Sequence, residues 1–77
     1  MISKKEVDVS KFAELVGEFI GYQADTGEHS REQARILAWK FETFLNTPAR
    51  WANGTANPHP LVKKLILEFI RKFQCND

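Results

Sequence analysis

The sequence predicts an all-α fold, a small domain of four helices. Apolar residues recur three and four positions apart in three separate segments, which is the period of an amphipathic helix. No segment alternates apolar and polar residues in the way a half-buried strand does. Seventy-seven residues provide for one hydrophobic core. We therefore expect a flexible N-terminus over residues 1–7 and a single helical domain over residues 8–74.

The helix boundaries are predicted from capping residues and from proline. Asp8 or Ser10 can cap the first helix, because a side-chain oxygen there accepts a hydrogen bond from an unpaired amide. Ser30 and Gln33 have the spacing of a capping box, in which each side chain bonds the other residue's amide. Pro48 ends the second helix and suits the first turn of a third. The four helices are expected near residues 9–23, 31–45, 48–53 and 61–73.

Two long apolar stripes indicate where the core lies. The stripe on the second helix comprises Ala34, Leu37, Ala38, Phe41, Phe44 and Leu45. The stripe on the last helix comprises Leu61, Val62, Leu65, Ile66, Phe69, Ile70 and Phe73. Leu37, Phe41, Ile66 and Phe69 are predicted to be core residues.

Two apolar residues of the second helix, Ile36 and Trp39, fall outside its stripe. Either they widen the buried face or they form an exposed patch that binds a partner, and burial is the favoured alternative in so small a domain. On the first helix, Ala13, Gly17 and Gly21 share one face. Because a glycine inside a helix costs about 1 kcal/mol relative to alanine, a neighbouring helix is expected to approach closely there.

Charge is distributed unevenly along a chain whose net charge is +1. Residues 1–44 carry six basic and eight acidic side chains, whereas residues 45–77 carry five basic and two acidic side chains. A basic second half is a mild indication of a basic binding face.

The residues that usually carry chemistry are isolated. His29, His59 and the single Cys75 do not have the spacing of zinc ligands, and no nucleophile–base set or glycine-rich phosphate loop occurs. We therefore predict no catalytic residue, no metal site and no cofactor. The sequence has no signal peptide and no apolar run of the ~20 residues that cross a bilayer, so we expect a cytoplasmic protein with no membrane partner.

The most informative stretch is residues 47–66, which begins with the pattern Thr-x-x-Arg-Trp-x-Asn-Gly. This stretch resembles the second half of the phage-repressor (Xre/Cro-like) helix-turn-helix family. The residues at the family's spacing are Thr47, Arg50, Trp51, Asn53, Gly54, Pro58, Leu65 and Ile66. The resemblance implies a helix-turn-helix-like fold and a DNA-binding transcriptional regulator, with a terminal helix through which it could form a homodimer.

The residues that the resemblance assigns to DNA are Asn46, Thr47, Arg50 and Asn53, with Lys63 and Lys64 adding attraction to the phosphates. The chain departs from the family in two places. It lacks a tight turn before the recognition helix, and Pro48 replaces a buried valine or isoleucine. The alternative is therefore a small phage- or plasmid-type interaction module or inhibitor. That module would bind a host protein through an apolar helical surface containing Ile36 and Trp39.

Overall fold

The computed structural model describes residues 9–74, which form four α-helices and no strand within that range. The predicted all-α class and the number of helices are confirmed. A 3-10 turn at Val9–Lys11 leads into the helices α1 (Phe12–Ile20), α2 (Arg31–Lys40), α3 (Thr47–Ala52) and α4 (Pro60–Gln74). The predicted flexible segment 1–7, the capping candidate Asp8 and the single cysteine Cys75 lie outside the described residues.

The first helix ends at Ile20, three residues earlier than predicted. Gly21 adopts a left-handed conformation with φ of 69°, and the amide of Tyr22 donates to the Gly17 carbonyl at 2.8 Å. This hydrogen bond satisfies a carbonyl at the helix end, so the chain leaves the helix at Gly21. Gly21 thus ends α1 and does not extend its small-residue face.

The start of α2 is fixed by Ser30. Its hydroxyl oxygen accepts a hydrogen bond from the Gln33 amide at 3.2 Å, as the capping box predicted. The reciprocal half of the box is wrong, because the Ser30 amide donates to the Ile20 carbonyl at 2.8 Å. That bond ties the beginning of α2 to the end of α1.

The second helix ends at Lys40, five residues before the predicted end. Glu42 has φ of 53°, a left-handed conformation that is uncommon for a residue with a side chain. The amide of Thr43 donates to the Ala38 carbonyl at 2.8 Å, which closes the helix end. Residues 41–46 therefore form an irregular connection to α3. Phe44 and Leu45, which were predicted to continue the buried stripe, are exposed.

The core is built around α1, which packs most extensively against α3 and also contacts α2 and α4. Trp51 of α3 lies against Phe12 of α1 with ring centroids 5.8 Å apart. A Cβ placed on Gly17 would lie 3.7 Å from the Cβ of Ala52. α3 therefore lies beside Gly17, at a distance that would also accept an alanine side chain. Pro48 is fully buried and fills an apolar position of the core.

The four predicted core residues divide into two pairs. Leu37 and Ile66 are fully buried, which confirms their prediction. Phe41 and Phe69 are only half-buried, and they meet edge to face at the margin of the core with centroids 5.9 Å apart. These aromatic rings cover the core and are not enclosed by it.

The apolar arc of α4 is wider than the surface that covers it. Ile66, Leu67 and Ile70 are buried, and Leu67 was absent from the predicted stripe. Four members of that stripe are exposed: Leu61, Val62, Leu65 and Phe73. α4 contacts α1 and the 3-10 turn extensively, but neither α2 nor α3 to a comparable degree. One side of α4 is therefore buried and an adjacent apolar side is not.

The favoured burial of Trp39 is wrong. The side chain is 69% exposed, whereas Ile36 is half-buried against the core. At 3.6 residues per turn, Trp39 lies about 150° around the helix from the face formed by Ala34, Leu37 and Ala38. Because α2 ends at Lys40, no later turn of the helix brings a covering element over this ring.

Stability should distinguish the two predicted core pairs. Leu37→Ala should cost about 2–5 kcal/mol of unfolding free energy, because it opens a cavity in a closely packed interior. Phe41→Ala should cost clearly less than the roughly 3–5 kcal/mol of a fully enclosed phenylalanine. Urea unfolding followed by circular dichroism measures both. If Phe41→Ala lost as much unfolding free energy as Leu37→Ala, or more, the position of Phe41 at the margin of the core would be contradicted.

Two glycines should respond oppositely to alanine. Gly17 lies inside α1 with its nearest side-chain neighbours at 3.7 Å, so Gly17→Ala should stabilise the domain by about 0.5–1 kcal/mol. Gly54 has φ of 82°, so Gly54→Ala should destabilise it by about 1 kcal/mol through backbone strain. Thermal melts of the two variants beside the parent protein test this. A destabilised Gly17→Ala would mean that α1 and α3 lie closer than described.

Candidate nucleic-acid interface

A shallow cleft lies between the start of α2 and the start of α3. It has a volume of about 200 Å³ and is lined by His29, Arg31, Ala34, Arg35, Leu45 and Asn46. Two of these side chains are arginines and none is acidic. Glu28 and Glu32 are neighbours in sequence, but neither lines the cleft. The rim is therefore cationic, and suits an anion such as a phosphate group.

The two arginines lie on one line along α2. Arg31 and Arg35 are four residues apart, which is about 6 Å along a helix axis. The Arg35 guanidinium carbon is 5.6 Å from the centroid of the Trp39 ring, one further turn along the helix. A guanidinium held over an aromatic ring keeps its edge N–H groups available for a phosphate. The exposed tryptophan thus supports Arg35 at the rim of the cleft.

The outer side of α3 faces away from the core. Pro48 and Trp51 point inward, whereas Asn46 and Arg50 are exposed about one helical turn apart. Asn46 precedes the first helical turn and makes no side-chain capping bond. The side-chain amide of Asn46 is therefore available to bind a ligand at the edge of the cleft. α3 is six residues long, so its outward surface offers few side chains for reading bases.

Asn53, which the sequence predicts to bind DNA, stabilises the turn after α3. Its side-chain oxygen accepts hydrogen bonds from the Thr55 amide at 3.0 Å and from the Thr55 hydroxyl. The Arg50 carbonyl accepts from the amides of Thr55 and Ala56, at 2.9 and 3.1 Å. With Gly54 in the left-handed conformation, these bonds end α3 and fix the turn that follows. Of the Asn53 side chain, only the amide nitrogen takes no part in these hydrogen bonds.

The other three residues predicted to bind DNA occupy different environments. Thr47 is half-buried, and its hydroxyl accepts a hydrogen bond from the Thr43 hydroxyl at 3.0 Å. Lys63 is half-buried with its ammonium nitrogen 5.6 Å from the centroid of the Phe12 ring. Lys64 is exposed on α4 and does not line the cleft. Of the predicted DNA residues, the structure therefore brings only Asn46 to the lining of the cleft, and leaves Arg50 exposed one helical turn further along α3.

The alternative partner-binding pair differs in exposure. Trp39 is exposed, whereas its neighbour Ile36, three residues earlier on α2, is half-buried against the core. Arg35 covers the ring of the exposed tryptophan, whereas Lys40 holds its ammonium 5.5 Å from the Phe69 ring centroid. A partner at Trp39 would therefore meet positive charge.

The sequence-based prediction missed His29, Arg31 and Arg35. These residues lie in the half of the chain with a net negative charge, and that average conceals a local cluster. The available signal was the four-residue spacing of Arg31 and Arg35 directly after the capping Ser30, on the side of the helix away from Leu37. The contribution of Leu45 and Asn46 to the same cleft depends on the path of residues 41–46.

Comparisons with protein-family models, with curated proteins and with solved structures give no match. Over residues 9–74, no helix combines the length and apolar character that a membrane span requires. In the same part of the chain, no three His, Cys, Asp or Glu side chains are grouped as a metal site would need. The resemblance to phage repressors therefore remains an expectation from the sequence.

The turn after α3 gives a test of the role of Asn53. Asn53→Ala should cost about 0.5–1.5 kcal/mol of unfolding free energy, because it removes an acceptor from the Thr55 amide. Asn53→Asp keeps an oxygen in that position and should change stability by less. Chemical denaturation of both variants provides the measurement. Equal losses in the two variants would show that the acceptor oxygen does not hold the turn.

Proposed function

We propose that this protein binds duplex DNA through the cleft between α2 and α3, as a small regulator of the helix-turn-helix type. The observation that carries the proposal is the convergence of Arg31 and Arg35 from one helix with Asn46 from the next, around a cleft with no acidic lining residue. Arg50 extends the same cationic character along the exposed side of α3.

The roles of the four residues follow from their chemistry. Arginine is the side chain whose fork of donors matches a phosphate in two bonds, so Arg31 and Arg35 are assigned to the DNA backbone. Asn46 and Arg50 lie on the outer side of α3. In a major groove, asparagine pairs with the edge of adenine and arginine with the edge of guanine. These two are therefore the candidates for reading bases.

The buried Pro48 is compatible with this proposal. It fills an apolar core position and permits α3 to begin at Thr47, with Asn46 in front of it. The six-residue connection 41–46 is longer than the tight turn of the family. Its last residues nevertheless bring Leu45 and Asn46 beside Arg31 and Arg35.

A second candidate function is supported by the exposure of Trp39. A tryptophan that is 69% exposed, with Phe44 in the following connection 81% exposed, is unusual outside an interface. Because Arg35 lies over the tryptophan ring, the partner of this alternative is an acidic protein segment that also presents apolar side chains.

Duplex binding can be measured by fluorescence anisotropy with a labelled mixed-sequence duplex at about 50 mM salt. If Arg31 and Arg35 bind phosphates, the logarithm of the association constant should fall with the logarithm of salt at a slope of about −1.8. Arg31→Ala, Arg35→Ala and Arg50→Ala should each weaken binding. Each variant that removes a phosphate-binding side chain should also make the slope shallower by about 0.9.

The control removes a positive charge elsewhere. Lys11 is exposed at the opposite end of α1 from Ile20, whose carbonyl meets the start of α2. α1 is nine residues, so Lys11 lies about 14 Å from that end. Lys11→Ala should therefore change affinity much less than the arginine variants. No anisotropy change from folded protein, or equal losses in all four variants, would refute the DNA proposal. Loss of a bound protein on Trp39→Ser would then favour the second candidate.

A further inference from the structure

The cleft between α2 and α3 contains a histidine, His29, to which the DNA-binding proposal gives no role. His29 directly precedes the capping Ser30, is half-buried, and lines the cleft together with Arg31 and Arg35. The two arginines keep their charge at all working pH values, and the three other lining residues have no charge. A histidine changes charge between about pH 5 and 8. His29 is therefore the lining residue through which pH can change the charge of the cleft.

One ring nitrogen of His29 is already engaged by the backbone. Nδ1 lies 3.4 Å from the carbonyl oxygen of Ser30, within hydrogen-bonding geometry. A carbonyl oxygen can only accept, so Nδ1 is the nitrogen that donates. In the neutral ring the other nitrogen, Nε2, then has no proton and can only accept. Because phosphate oxygens also only accept, His29 has no free N–H for a phosphate until its ring is protonated.

The charged groups around His29 favour an anion in the cleft. Arg31 and Arg35 lie on one side of it, on α2. On the segments that form or adjoin the cleft, the carboxylates nearest in sequence are Glu18 of α1, Glu28 of the loop, Glu32 of α2 and Glu42 of the connection. None of them is among the lining residues, and α3 has no carboxylate. The lining therefore offers a protonated His29 no carboxylate partner, whereas a phosphate between the arginines would accept its Nε2–H.

We propose that His29 is a third phosphate-binding side chain of the cleft, and that it binds the phosphate only when its ring is protonated. This inference rests on the proposed binding of DNA and adds a proton to that binding. A phosphate held by the arginines attracts a proton to the imidazole, and the protonated imidazole attracts the phosphate. Because such coupling is reciprocal, a lower pH strengthens DNA binding, and DNA binding takes up protons.

The other histidine of the chain, His59, has the opposite hydrogen bonding. Its Nδ1 accepts a hydrogen bond from the Leu61 amide at 3.1 Å at the start of α4, so that nitrogen carries no proton. His59 does not line the cleft. Its protonation would remove a bond from the first turn of α4 and would leave the cleft unchanged. His59→Asn is therefore the matched control, because asparagine keeps an acceptor oxygen for the amide but does not titrate.

Fluorescence anisotropy with a labelled duplex, at about pH 8 and about pH 6 in a buffer without phosphate, tests the role of His29. The affinity of the parent protein should rise about fivefold as the pH is lowered. His29→Gln should bind at both pH values as the parent does at the higher one, because its amide does not titrate. His29→Arg carries a permanent charge and should bind tightly at both. His59→Asn should keep the rise of the parent.

Two further measurements separate a phosphate contact from a purely structural role of His29. At the lower pH the salt slope should steepen from about −1.8 to about −2.7, because a third cation then neutralises a phosphate. Isothermal titration calorimetry in two buffers of different ionisation enthalpy should show proton uptake when the parent binds the duplex, and none for His29→Gln. Circular dichroism at both pH values establishes that each variant is folded.

The possible failures are distinguishable. Duplex binding that does not change with pH, or a rise in affinity that persists in His29→Gln, would overturn the role of His29 and leave DNA binding in place. Loss of the rise in His59→Asn would assign the pH dependence to the start of α4 and would also overturn it. A folded protein that binds no duplex at either pH would overturn both the role of His29 and the DNA-binding proposal.

Discussion

The close packing of α1 against α3 is the contact on which the other elements depend. A helix of six residues has little stability by itself, because its first turn costs more conformational entropy than its few hydrogen bonds return. α3 is stabilised by its packing, because Trp51 lies against Phe12 and Pro48 is buried in the core. Ala52 faces Gly17 across this contact, where an added Cβ would lie at an ordinary van der Waals distance of 3.7 Å. The inward side of α3 is therefore fully occupied by packing, and only its outer residues remain for binding.

The position of the cleft follows from two connections to this pair of helices. The Ser30 amide bonds the carbonyl of Ile20, so the start of α2 is held at the end of α1. Thr43 bonds Ala38 and Thr47, so the path of residues 41–46 is held at both ends. Arg31 and Arg35 consequently line the same cleft as Asn46, although Asn46 lies beyond the end of α2, on the irregular connection to α3. The charge of the cleft depends on this tertiary placement and not on the overall net charge of +1.

The sequence predicted the features that depend on local chemistry. The Ser30 cap and the burial of Leu37 and Ile66 each follow from one residue type in one short pattern. The sequence could not predict how much of each apolar stripe a neighbouring helix covers. The stripe that includes Phe44 and Leu45 is regular in sequence, but α2 ends at Lys40 because Glu42 turns left-handed. The arc of α4 is likewise regular, but α1 covers only part of it. The role of Arg50 in binding stays a prediction from its motif, whereas Arg31 was missed because the other residues of its cleft include a distant segment.

α4 contributes nothing to the lining of the cleft, so the cleft depends on α2 and on the connection before α3. This limits the strength of the proposed DNA binding. The two arginines assigned to phosphates would release few counterions, whereas proteins with strong salt dependence make about 6–10 phosphate contacts. One copy of the domain should therefore bind duplex DNA weakly and with a shallow salt dependence. Any preference for a base sequence would depend on Asn46 and Arg50, because the six-residue α3 offers few other outward side chains.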